Sequence, residues 1–454
     1  MVVSVTGRGS IQVGSGGAEE PQPIRLKHLL AVVTGNALEF YDFLTFGFFA
    51  IYIGRAFFPS DNPTTSLLAS LATFGAGFIT RPIGAIVIGS MGDRVGRKPA
   101  MVLSFSLMGI GIAGLALTPS YAQIGMLAPA LVILFRLIQG FALGGEVGPT
   151  TAYVLEAAPI RHRGLYSSLQ SMTQEVAVLV AGLVGFVLAN LLDGDQLQAW
   201  GWRVAMLLGI VVIPFGLYMR RRLPESLHRA DDSALAPDAT TGVLTFGERM
   251  KPWRRLAVLG LMMLTAGTIG SYVSSYMTTY AIATLGMPAN IAFGVTVIGS
   301  LFAFTIAPLS GSISDRVGRK PVMIVSAVLL LCAILPAFWL INAYRTPFVL
   351  YGSMALLNLL SAASFVPVLC ALTESLPPRI RAGALATIYA FAISIFGGTT
   401  QVVITWLIDR TGDPMAPAWY WTGALTVGIV AMVMMKESAP LADRHGGGAS
   451  QPAI

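Results

Sequence analysis

The sequence predicts an all-α membrane protein in which twelve spanning helices form two pseudo-symmetric six-helix bundles. Three observations predict it. The run Asp93-Arg94-Val95-Gly96-Arg97-Lys98-Pro99 returns unchanged as Asp315-Arg316-Val317-Gly318-Arg319-Lys320-Pro321, 222 positions later in a chain of 454. A second echo, Glu156-x-x-Pro159-x-Arg161-x-Arg163, matches Glu374-x-x-Pro377-x-Arg379-x-Arg381 at an offset of 218. Only 11% of residues are charged and 55% are hydrophobic, against roughly 25% charged in soluble domains. A duplicated membrane unit implies a site between its two halves.

A span needs about 20 mostly apolar residues. Taken in order, the sequence supplies candidates at 28–53, 66–90, 100–118, 126–150, 165–190 and 201–220, then at 254–277, 291–311, 322–342, 348–371, 383–408 and 418–436. These define five parts: a polar N-terminal tail at 1–27, a first bundle at 28–220, a polar linker at 221–253, a second bundle at 254–438 and a polar C-terminal tail at 439–454. The N-terminal stretch lacks the apolar run of a signal peptide, so the first span is expected to stay as an anchor. Both tails have the composition of disordered segments.

The formal charge of +7 does not indicate nucleic acid, because the basic residues are dispersed in short clusters between spans. With both tails inside, the inner segments hold Arg25, Lys27, Arg94, Arg97, Lys98, Arg161, Arg163, Arg220, Arg316, Arg319, Lys320, Arg379 and Arg381, among others. The outer segments hold only Arg55, Arg203, Arg345 and Arg410. The positive-inside rule then puts both termini and both copies of the repeat on the cytoplasmic face of a plasma membrane. Cys332 and Cys370 each lie in an apolar span, which excludes a disulfide framework, and no metal site or cofactor motif is found. His28, His162, His228 and His445 are scattered near or beyond the membrane edge. Nothing supports a membrane enzyme, and the duplicated halves argue against a continuously open channel.

The paired Asp-Arg-x-Gly-Arg-Lys loops after spans two and eight resemble those of the major facilitator superfamily, and the resemblance covers all twelve spans. Gly35-Asn36-x-x-Glu39-x-Tyr41-Asp42-Phe43, Arg81-Pro82-x-Gly84, and Arg136-x-x-Gln139-Gly140 with Gly144-Gly145-Glu146 are similar to the metabolite:proton symporter family. Within it, Gln170-x-x-x-Gln174, Phe396-Gly397-Gly398 and Thr411-Gly412-Asp413 leading to Trp419-Tyr420 look most like carriers of citrate and related tricarboxylates. Thr278 stands where many relatives carry proline. The resemblance implies a monomeric, proton-driven importer of a small organic acid working by alternating access, with a compatible solute (betaine or proline) or an oxo-acid as the alternative cargo.

Charge inside the bilayer costs at least about 2.5–3.5 kcal/mol on the insertion scale, so each buried charge needs a partner or a task. Glu39 and Asp42 are three apart and share a helix face. Two carboxylates at close quarters do not readily both ionise, so one is expected to hold a proton near neutral pH. Glu146 and Glu175 are further candidate proton sites. The alternative is that the acids only neutralise Arg81 and Arg136. Those two arginines are candidate substrate ligands, since a guanidinium grips a carboxylate with two parallel hydrogen bonds; a structural ion pair is the other reading.

Gln170 and Gln174 lie one turn apart and present amides that donate and accept, either to substrate or to a neighbouring helix. Tyr276, from the stripe Tyr272, Tyr276 and Tyr280, is a candidate contact, as are Asn358 and Gln401 in the second half. In the loops, the resemblance to the superfamily implies that Asp93, Arg97 and Glu156 of the first half and Asp315, Arg319 and Glu374 of the second hold the inner face shut; a plain positive-inside signal is the other reading.

Overall fold

The computed structural model describes residues 40–94, 97–144, 158–211, 214, 253–377 and 381–439. The first half comprises α1 (40–57), α2 (Pro63–Ile79, resuming after Thr80 as Arg81–Arg94), α3 (Arg97–Leu117), α4 (Leu127–Leu143), α5 (Arg163–Leu191) and α6 (Trp202–Leu208). The second comprises α7 (Arg254–Ala283), α8 (Ala289–Val317), α9 (Arg319–Tyr344), α10 (Pro347–Ser375), α11 (Arg381–Ala392, a π-helical turn Ile393–Gly397, then Gly398–Thr411) and α12 (Ala416–Met434). No strand occurs among the described residues. By length and composition α2, α5 and α7 to α12 can each cross a membrane. Helices α3 and α4 have shorter apolar runs, and for α1 and α6 the described residues cover one end of the expected span. The expected linker and tails fall outside the described residues, apart from Trp253 and Ala439.

Local chemistry sets the helix starts. Asn62 accepts from the Thr64 N–H ahead of α2, with Pro63 next in line. Thr346 accepts from the Val349 N–H ahead of α10, followed by Pro347. A polar cap before a first-turn proline is a strong start signal. The helices outrun the apolar stretches seen in the sequence. Helix α7 continues to Ala283, and its Tyr280 hydroxyl sits 2.8 Å from both Asn342 Oδ1 and the Pro414 carbonyl. Hydropathy marks only the part of a helix in lipid, whereas backbone hydrogen bonding and polar side-chain contacts carry it farther.

Lipid tails are as apolar as leucine, so helices in a bilayer associate through close packing and polar contacts rather than through exclusion of water. The halves meet along two such seams. Helix α5 runs against α8 from end to end: Gly164 lies on Gly311, Gly182 on Thr296, Gly185 on Phe293, and Asn190 accepts from Asn290 at 3.3 Å. Helix α2 meets α11 backbone to backbone, and a side chain on Gly75 would overlap the Gly398 carbonyl. Between the seams, Phe43, Phe74 and Phe78 of the first half form an aromatic layer that Tyr272 of the second joins, 5.7 Å from Phe78.

Candidate functional site

Three polar constellations follow from this packing. The first is a cavity of about 120 Å³ where the two halves face each other. Its first-half wall is α1 and α5, with Phe40, Gln174 and Glu175. The second-half wall is rich in hydroxyls: Ser271, Tyr272 and Ser275 on α7, Thr296 and Ser300 on α8, and Ser361 beside Asn358 on α10. Tyr389 of α11 adds a phenol, to which Gln174 Nε2 donates at 3.5 Å. Glu175 is the one charged side chain among the described lining residues, and it forms no hydrogen bond or ion pair with any described residue. Asn358 donates to the Met354 carbonyl at 2.8 Å, which leaves its amide oxygen free to accept.

The second constellation is buried inside the first bundle. Asp42 and Arg136 are each 1% exposed. Arg136 Nη1 donates to Gln139 Oε1 at 2.8 Å, and Gln139 Nε2 donates to Asp42 Oδ2 at 3.0 Å. The Arg136 guanidinium also lies over the faces of Phe46 at 4.1 Å and Phe43 at 4.8 Å. Arg81 stacks between Phe43 and Phe78, 4.3 Å from each ring. Aromatic faces lower the cost of burying a guanidinium.

The third lies at the end of the second bundle that carries the repeated loop. Arg319 pairs with Asp315 at 2.7 Å and Glu374 at 3.2 Å, and it donates to Ser314 Oγ. Asp315 also reaches the other half, accepting from the Gly164 and Leu165 N–H groups at 2.8 and 3.0 Å. These are the unpaired donors of the α5 N-terminus, the positive end of its dipole. Glu437, just past α12, accepts from the N–H groups of Arg319 and Lys320 that open α9, while Ser438 Oγ donates to Glu374. Burial pushes the Glu437 carboxyl up, but the backbone donors outweigh it and hold the group below the usual carboxylate range.

Set against the expectations, Gln174, Glu175 and Asn358 line the cavity. Gln170 is buried in α5 and Gln401 in α11, and neither is a lining residue. Gln401 instead faces Gly47 across the interface. Tyr276 is turned into the second bundle, where its hydroxyl accepts from Thr405 at 2.9 Å; one turn earlier on the stripe, Tyr272 reaches the cavity. Arg81 and Arg136 stand behind the aromatic layer rather than in the lining. Glu39, Glu146 and Glu156 lie outside the described residues, as do the side chains of Asp93 and Arg97, whose backbones close α2 and open α3. Sequence reasoning left Gln139, Ser361, Tyr389 and Glu437 without a role. For Glu437 a signal existed, since Glu437-Ser438 repeats Glu225-Ser226 just after the first bundle, in the linker.

Residues 33–397 match the Major Facilitator Superfamily profile. The chain is 35% identical to a citrate-proton symporter of Salmonella typhi, over 90% of this chain and 93% of that protein. It is 34% identical to an alpha-ketoglutarate permease of Escherichia coli (90% and 94% covered). It is 33% identical to a glycine betaine/proline/ectoine/pipecolic acid transporter of Dickeya dadantii (91% and 83%). In fold it resembles the crystal structure of a D-xylose-proton symporter, with TM-score 0.71 at 21% identity over 92% of this chain and 98% of that one. Two facing six-helix bundles, the loop that recurs in each and the profile match together show that this chain is a transporter of the Major Facilitator Superfamily.

Proposed function

We propose that the protein is a proton-coupled symporter that imports an organic carboxylate, citrate or a related di- or tricarboxylate, across a bacterial inner membrane by alternating access. The observation that carries this reading is Glu175, a carboxyl without a partner among the described residues, set among hydroxyls and amides in the cavity between the halves. An anionic substrate about 4 Å from an ionised Glu175 would meet a repulsion of about 4 kcal/mol at an effective dielectric near 20. A proton on Glu175 removes that repulsion and turns the carboxyl into a donor, so anion and proton favour each other's binding. The Ser and Thr hydroxyls donate to the carboxylate, and Arg81, within electrostatic reach of Tyr272 and Tyr389, supplies positive potential from behind the wall. The names of the Salmonella and Escherichia relatives support this substrate class. The two termini are cytoplasmic, the Asp315 constellation is an inner gate, and a single chain suffices.

One observation favours a second reading. The described cavity lining contains an acid and no cation, which suits a zwitterion whose cationic end meets Glu175, as for the betaine-transporting relative. Proteoliposomes with an imposed pH gradient discriminate. The first reading expects radiolabelled citrate or alpha-ketoglutarate to accumulate, and Glu175→Gln to abolish accumulation while retaining exchange. Accumulation of glycine betaine alone supports the second reading, and accumulation of none of them under a pH gradient overturns both.

A further inference from the structure

Asp42 and Arg136 are buried side by side in the first bundle, yet among the described residues no ion pair joins them. The link runs through one amide. Gln139 Oε1 takes the Arg136 Nη1 proton at 2.8 Å, and Gln139 Nε2 gives a proton to Asp42 Oδ2 at 3.0 Å. Electrostatics fixes which way this amide points, because the reverse orientation would set its NH2 against a guanidinium and its oxygen against a carboxyl. Each end has spare capacity: Asp42 Oδ1 and Arg136 Nε are buried with no hydrogen-bond partner among the described residues. Arg136 otherwise has the Phe43 carbonyl at 3.5 Å and aromatic faces. Helix α3 is shaped to admit the bridge, since a side chain on Gly111 would come within 2.5 Å of Gln139 Cγ.

The other groups around this site do not replace the bridge. On α1, the Tyr41 hydroxyl is occupied with the Ala205 carbonyl. On α2, Arg81 also lies over the Phe43 ring and acts on Arg136 as a like charge. Tyr272 of α7 acts on Arg136 from across the interface. The segment after α6 presents Gly209, which carries no charge.

We propose that Gln139 is the positioning residue of a proton site at Asp42, transmitting the charge state of Asp42 to Arg136. This rests on the proton-symport reading above. A proton from water adds to the Asp42 carboxylate, and neither Gln139 nor Arg136 gains or loses one. The Nε2 contact then changes from charge-assisted to neutral, which loosens the amide and with it the Arg136 anchor against α1. Conversely, among the described residues the amide is the one hydrogen-bond donor to Asp42, beside the charge of Arg136, so its removal favours the protonated form.

The test needs no substrate. In purified full-length protein, infrared difference spectroscopy follows the protonated carboxyl stretch against pH, with the Asp42 band assigned by its loss in Asp42→Asn. Gln139→Met keeps the side-chain length and its fit against Gly111 but lacks both the donor to Asp42 and the acceptor of Arg136. Loss of one charge-assisted bond, about 1.5–3 kcal/mol, is expected to move the Asp42 midpoint about 1–2 pH units alkaline at 1.36 kcal/mol per unit. Should Gln139→Met not fold, Gly111→Ala displaces the same side chain from the α3 side, and a smaller alkaline shift is expected. An unshifted midpoint in a folded variant overturns the role of Gln139 and leaves the symport reading intact. A spectrum unchanged by Asp42→Asn means that Asp42 does not titrate, which overturns the proton site itself.

Discussion

Replacing Asp315 with Asn should weaken the contact between the two halves at the end that carries the repeated loop. Asp315 is 6% exposed and accepts two backbone N–H groups from α5, at 2.8 and 3.0 Å, across the interface. An asparagine retains one neutral acceptor and turns an NH2 group toward the other donor, so one backbone bond is lost outright, the other loses its charge assistance and the ion pair to Arg319 goes with them. Bonds to charged groups contribute about 1.5–3 kcal/mol, and the α5 dipole loses a further share of its anionic partner. Arg319 keeps Glu374 at 3.2 Å, so the damage is concentrated at the latch. A loss of about 1.5–3 kcal/mol corresponds to roughly a ten- to hundredfold shift toward the state in which the two ends separate. Spin labels on His162→Cys and Arg316→Cys, in a background without Cys332 and Cys370, report that separation by pulsed electron resonance. A new longer-distance population is expected in Asp315→Asn. Identical distance distributions with and without Asp315 would refute the latch.

Gly75→Leu should fold but lose transport, because its side chain meets the Gly398 backbone, which has no room to yield; wild-type uptake would contradict the seam. For Glu437, whose carboxyl is held below its ordinary value by backbone donors, the stabilisation is fully present above that ordinary value and is lost as pH falls through the depressed folded one. The melting-temperature gap between wild type and Glu437→Gln in detergent should therefore be widest near neutral pH and close in acid. Tyr276→Phe removes the acceptor for Thr405, which still has the Gln401 carbonyl at 2.8 Å. It should cost about 0.5–1.5 kcal/mol of stability, seen as a lower melting temperature, with KM for the accumulated substrate unchanged.

The fold was legible because lipid imposes a coarse code. Helices must be long and apolar, and the repeated loop sets the halves in register. The sites were less so. The α7 stripe shows the limit: Tyr272, Tyr276 and Tyr280 share one helix face, but a small rotation sends Tyr272 to the cavity and Tyr276 to Thr405. Spacing fixes a face only to within about a quarter turn, and the partner helix decides the rest. Arg136 signalled burial, but not that an amide would stand between it and Asp42, because that contact joins residues 97 positions apart. The hydroxyls of the cavity were invisible for a different reason. Serines and threonines commonly bond back to their own helix, as Ser275 does to the Ser271 carbonyl, so nothing in their order marks the ones that line a cavity.

The touch of Gly75 on Gly398 has a mechanical meaning. Two backbones in contact, with no side chain between, form a fulcrum that can tilt but has little room to slide. Along α2 the distance from that point to Arg94 is about 28 Å at about 1.5 Å per residue, so each degree of tilt carries the far end roughly half an ångström. Residues beside the fulcrum barely travel while the tip sweeps widely, so a cargo held near the pivot can stay gripped while distant doors swing.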